Sequence, residues 1–182
     1  IIRESKTAEQ IYITGEGGAK KFGPEALPEI IGFKVTDNGV GFNDDNMKSF
    51  KELDSDYKEE KGCRGIGRLL WLKAFRSVKI TSTYLIEGGK FFHRAFAFDK
   101  TCGINPIDPE GKPLANALTP QTEVTLSDFL PGYRKYAPKT VHKIAQSMLE
   151  HCLWYFIRDG GRPKILLCDG ELRTEVKEII LK

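Results

Sequence analysis

Val35-Thr36-Asp37-Asn38-Gly39-Val40-Gly41-Phe42 is an apolar strand that ends in an acid and two glycines. Two readings compete for it. Asn-Gly adopts positive φ readily, so the tripeptide Asp-Asn-Gly reads as a hairpin turn. An acid at a strand end followed by two glycines is equally a place where backbone comes close to a ligand. The second glycine run, Gly62-Cys63-Arg64-Gly65-Ile66-Gly67-Arg68, leads straight into an apolar segment. A glycine loop opening a helix offers free N–H groups and a positive dipole end, the conditions that hold phosphate. A tight loop that needs close packing would look the same. Neither run says much alone; their order and spacing together are specific.

Working outward, residues 11–14 (Ile-Tyr-Ile-Thr) and 30–36 read as strands joined by a Gly- and Pro-containing loop. From 43 to 53, Met47, Phe50 and Leu53 recur at helical spacing, and a charge-dense stretch follows to Lys61. Residues 66–75 are apolar on most sides, which predicts a largely buried helix. Strands are expected at 77–86, 91–98 and 122–126, with Gly88-Gly89 turning the first pair. Over 139–158, Val141, Ile144, Met148, Leu149, Cys152, Leu153, Phe156 and Ile157 keep 3, 4 and 7 spacing, with Gly160, Gly161 and Pro163 as the stop. A strand at 164–168 and an apolar stretch at 176–181 complete the map. Strands grouped apart from helices predict an α+β two-layer sandwich with a mixed, mostly antiparallel sheet.

The 182 residues suggest a single domain over 1–182. With 40% hydrophobic and 29% charged residues the chain can bury a core. The longest apolar run, residues 152–157, is far too short for a membrane span, so no membrane partner is expected. A balance of 28 basic to 25 acidic residues, net +3, leaves nucleic acid open as a partner without indicating it. Cys63, Cys102, Cys152 and Cys168 form no CxxC pair, which reads as a reduced, cytoplasmic setting. The start at Ile1-Ile2 reads as an excerpt of a longer polypeptide. His93, His142 and His151 share no ligand spacing, and the basic residues Arg134, Lys135, Lys139 and Lys143 read as a solvated patch. The Walker, Rossmann and kinase phosphate loops are all absent, because neither GxxxxGK[ST] nor GxGxxG occurs.

With those excluded, the chain resembles the GHKL superfamily of ATP-binding domains: gyrase, the ninety-kilodalton heat-shock chaperone, histidine kinases and mismatch-repair ATPases. Residues 37–42 look like its first glycine box and residues 62–67 like its second. Gln121-Thr122-Glu123-Val124-Thr125-Leu126 is similar to the later strand that usually begins Gly-Thr, with Gln121 in place of the Gly. The closing helix and strand are similar to the end of the chaperone's nucleotide domain, so the likeness covers nearly the whole chain. It implies the Bergerat fold, ATP and Mg²⁺ as cofactors, a nucleotide lid over residues 43–61, and further domains of the same polypeptide moved by that lid. It leaves a homodimer open.

The resemblance also implies roles. Asp37 would accept from the adenine amino group, selecting adenine over guanine. Gly39 and Gly41 would let backbone approach the base, flanked by Asn38 and Phe42, and Thr122 would support the adenine end through its hydroxyl. Asn46 would lie near phosphate or ribose. Gly62, Gly65, Ile66 and Gly67 would form the phosphate loop, with Lys58, Lys61, Arg64 and Arg68 as candidate phosphate contacts. The family's catalytic Glu and Mg²⁺-binding Asn would fall at or before Ile2, where there is no such Asn. The catalytic groups are therefore expected upstream of Ile1, and Glu4 reads as a surface carboxylate. Two other functions stay open: a histidine-type protein kinase domain, and a nucleotide-binding module without turnover.

Overall fold

The computed structural model describes residues 1–4, 27–52, 67–114, 119–157, 164–170 and 172–176. The expected strand 11–14, residues 53–61 of the expected lid, Lys58, Lys61, Gly62, Arg64, Gly65, Ile66, the stop at 160–163 and residues 177–181 lie outside them. The chain divides into two compact units, Gly32–Tyr133 and Ile1–Ile31 with Arg134–Lys182.

In the unit Gly32–Tyr133 the strands are β2 (Ile30–Asp37, entering from the other unit), β3 (Phe75–Leu85), β4 (Phe91–Asp99), β5 (Gly103–Leu114) and β6 (Gln121–Phe129). They lie in the order β2, β6, β3, β4, β5, and each of these pairings is antiparallel. These five strands agree with the mostly antiparallel sheet expected from the sequence. The chain passes from β3 to β4 through Gly88 and Gly89, as expected from the sequence.

Side chains on one face of a sheet line up rung by rung. Here Phe33, Leu126, Val78 and Phe98 form one rung, and Val35, Val124, Ile80 and Phe96 the next. Helices α1 (Asp44–Lys51) and α2 (Gly67–Ala74) contribute Met47, Phe50 and Leu72 to the same core. The opposite face carries Lys34, Thr125 and Lys79, then Thr36, Glu123 and Thr81. Lys34 and Glu123 form an ion pair there at 3.1 Å. A sheet with one apolar and one polar face, covered by helices on the apolar side, is an α+β arrangement.

Helix α1 starts at Asn43, whose Oδ1 accepts the Asn46 N–H at 2.9 Å. Asp44 and Asp45 in the first turn and Lys48 and Lys51 in the last complement its dipole. The reading of 66–75 as a largely buried helix needs correction. Arg68 and Leu72 are buried, whereas Leu69 and Leu70 are 41% and 64% exposed. At 100° per residue, 68 and 72 share the core-facing side while 69, 70 and 73 turn away, so α2 buries a stripe only.

The other unit holds β1 (Ile2–Arg3), α4 (Val141–Ile157) and the antiparallel pair β7 (Leu166–Asp169) and β8 (Leu172–Glu175). The four-residue α3 (Pro131–Arg134) spans the division. Ala145 and Val176 are fully buried and are packed by Leu149, Cys152, Ile165 and Leu167. Arg3 ties the segments together: it binds Asp169 through Nε and Nη2 at 2.6–2.9 Å, Pro28 O at 2.6 Å and Lys139 O at 2.9 Å. Among the described residues no helix is long and apolar enough to cross a membrane.

Candidate functional site

The third rung of the sheet breaks the apolar pattern. Asp37, Thr122, Ser82 and Arg94 stand side by side on β2, β6, β3 and β4, on the face that carries the core. Asp37 is exposed, while Thr122, Ser82 and Arg94 are 4%, 1% and 8% exposed. Buried polar groups are tolerated only when partnered. Ser82 Oγ and Thr122 Oγ1 are 3.1 Å apart, and Ser82 Oγ also accepts the Phe42 N–H at 2.8 Å.

The glycine stretch 37–42 folds over this rung. Asp37 Oδ1 accepts the Gly39 N–H at 2.8 Å, and a Cβ at Gly39 would stand 2.8 Å from that same oxygen. Gly39 therefore keeps the carboxylate clear. Gly41 has φ +80°, and a Cβ there would lie 2.7 Å from Thr83 O and 2.8 Å from Ser82 Oγ. Both the backbone angle and the approach to β3 require glycine at 41. The stretch is thus not a hairpin turn: β2 pairs with β6, and the loop leads into α1. Phe42 anchors it, its ring 5.3 Å from both Phe50 and Phe96. Val40, 67% exposed, and Asn38 face outward.

Asn46 Nδ2 donates to Gly41 O at 2.7 Å, so Asn46 holds the loop from the first turn of α1. Arg94 reaches the same turn. Its Nη1 donates to Phe42 O at 2.9 Å and Asn43 O at 3.3 Å, and its Nη2 to Asp44 Oδ1 at 2.6 Å. The guanidinium lies over the Tyr84 ring at 5.0 Å. Burial pushes the Tyr84 hydroxyl above its ordinary pKa of 10.0.

Of the second glycine run, Gly67 and Arg68 are described. Gly67 opens α2, and among the described residues nothing stands within 4 Å of where a Cβ would lie. Arg68 donates to Glu52 O and covers the Phe50 ring at 5.1 Å; burial lowers its pKa below the ordinary arginine value. The structure therefore brings Asp37, Asn38, Gly39, Gly41, Phe42, Asn46 and Thr122 together in one place, and sets Arg68 against α1.

Sequence reasoning missed Ser82 and Arg94. A signal existed for the second: Phe92, Arg94, Phe96 and Phe98 alternate along β4, so Arg94 occupies an inward position in an aromatic row.

Of the larger cavities, one adjoins this site through Arg94 and Asp44 and another lies in the other unit. The first, of about 330 Å³ beside α1, is lined also by Met47, Lys48 and Phe96, and the second, of about 540 Å³, by Tyr136, Lys139, Lys143 and Glu150. Neither includes Asp37 or Thr122, so the polar rung and the loop that crosses it mark the site, not cavity size. Among the described residues no three His, Cys, Asp or Glu side chains gather to hold a metal ion. No protein-family model matches this chain, and no curated protein matches it in sequence.

Proposed function

We propose that this chain is the ATP-binding module of a GHKL-type ATPase with the Bergerat fold, reading adenine through Asp37. The observation that carries the reading is the Asp37, Thr122 and Ser82 rung with a glycine loop folded over it. The residues fit an adenine base. Gly39 occupies Asp37 Oδ1, and among the described residues Oδ2 has no partner and can accept from an exocyclic amine. Guanine presents a carbonyl at the equivalent position, which a carboxylate repels. Thr122 Oγ1, already paired with Ser82, retains hydrogen-bonding capacity toward the base or a water.

The bound nucleotide would supply the phosphates whose presence and loss switch attached domains. Helix α1, the described part of the expected lid, is fastened to the glycine loop by Asn46 and Arg94. Phosphate contacts would come from the second glycine run, and Mg²⁺ would accompany the phosphates.

Calorimetric titration of the protein and of Asp37→Ala with ATP and with GTP tests the reading. The parent should prefer ATP, and Asp37→Ala should bind it about 10- to 150-fold more weakly, the worth of a charged hydrogen bond. Unchanged ATP affinity in the variant overturns the adenine assignment.

A further inference from the structure

We propose that Arg94 is a positioning residue: it sets the shape of the glycine loop and fastens that loop to the first turn of α1, so that both act as one body. For what the loop holds, this rests on the adenine reading above; for the fastening itself, it rests on geometry alone.

Among the described residues the backbone of the loop has no ladder partner, so its polar groups need other partners. Side chains supply them in sequence. Asn46 takes Gly41 O, Ser82 takes the Phe42 N–H, and Arg94 takes Phe42 O, Asn43 O and the Asp44 carboxylate. Arg94 thus spends all three of its bonds on three consecutive residues, those at which the loop becomes a helix. A planar fork with several fixed donors can span such a set, and a lysine ammonium cannot.

The position is costly. The two apolar rungs before it place Phe98 and Phe96 on this strand, and an apolar residue at 94 would continue the core. Instead an arginine that is 8% exposed as a whole residue stands there, and its Nε is buried without a partner among the described residues. It would be easier to pack a phenylalanine. The bonds to 42, 43 and 44 are what Arg94 gains in exchange, and they all point at the loop.

If Arg94 acts through the loop that presents Asp37, its removal and the removal of Asp37 should not add. The test uses the full chain with Arg94→Met, Arg94→Lys, Asp37→Ala and the two double variants. Amide exchange at Phe42 is followed without nucleotide, with Ile80 and Val124 as core references, and ATP affinity by calorimetry. Arg94→Met should speed Phe42 exchange about tenfold or more while the references stay unchanged. It should weaken ATP about tenfold in the parent but less than about twofold in the Asp37→Ala background. Arg94→Lys, which keeps the charge and most of the volume, should resemble Arg94→Met and decides the matter should the methionine variant not fold. Equal losses in both backgrounds, or rescue by lysine, make Arg94 a general support of the core and overturn the proposal. So does unchanged exchange at Phe42. A parent that binds no ATP, with Phe42 exchange still set by Arg94, upholds the fastening and overturns the adenine reading instead.

Discussion

Arg3 and Arg94 are two largely buried arginines, one in each unit, each 2.6 Å from an aspartate. Their surroundings differ. Arg3 and Asp169 have side chains 12% and 13% exposed, and Arg3 also binds carbonyls at 28 and 139. It closes segments far apart in sequence, as a staple does. Arg94 is 10% exposed but its partner Asp44 is 90% exposed, and its acceptors are three neighbours in the chain. The same side chain thus gathers three separate segments in one unit and three consecutive residues in the other. The exposure of the partner carboxylate differs with it.

The largest effect expected is from Arg3→Met. It leaves the part-buried Asp169 carboxylate without its charged partner, a loss of about 1–3 kcal/mol. Arg94→Met should destabilise less, because water can take over Asp44. Urea unfolding of both variants measures the difference, and an equal loss breaks the comparison.

A smaller effect is expected from Asn43→Ala, which removes the cap of α1 and should cost about 1 kcal/mol. Arg94 holds the same turn, so unfolding of the double variant Asn43→Ala with Arg94→Met should fall short of the sum of the two losses. Full additivity would separate the cap from the fastening.

The smallest effect belongs to a carboxylate with no arginine. Asp99 accepts N–H bonds from Cys102 and Thr101 and one from Asn105, which hold its pKa below the ordinary 3.8. A depressed folded-state value adds stability above the unfolded pKa and loses it as pH falls through the folded one. The melting temperature of Asp99→Ala should therefore lie slightly below the parent's at pH 7 and converge with it below 3.8. A constant gap across that range would show that the bonds do not depend on the charge.

The sequence made legible what repeats along the chain. Alternation located β2, β3, β4 and β6, and the 3, 4 and 7 spacing located α4. It failed for β5, because Pro106, Pro109, Pro113 and Gly111 argue against a strand. That penalty applies to central strands, and among the described residues β5 pairs on one side only, with β4. It misjudged α2, where leucine content concealed that Arg68 takes an inward position. At the candidate site, Asp37, Gly39, Gly41 and Thr122 were visible because acid, glycine and threonine stand out at strand ends. Ser82 was not visible: a serine in a threonine-rich strand acquires meaning only when the register sets it beside Thr122 and beneath Phe42.

The prolines of β5 have one more consequence. They sit in the outermost strand of the row, at positions opposite Phe92 and Phe96. Asp108 and Lys112, paired at 3.3 Å, add charge to the same strand. An outer strand without prolines would offer an unbroken line of N–H donors to any extended chain that met it. This one lacks donors at each proline and carries charges between them, which disfavours the sheet growing by one more strand from a second molecule. The residues that hid β5 from the sequence reading are the ones that leave this edge, outermost among the described strands, poor in donors.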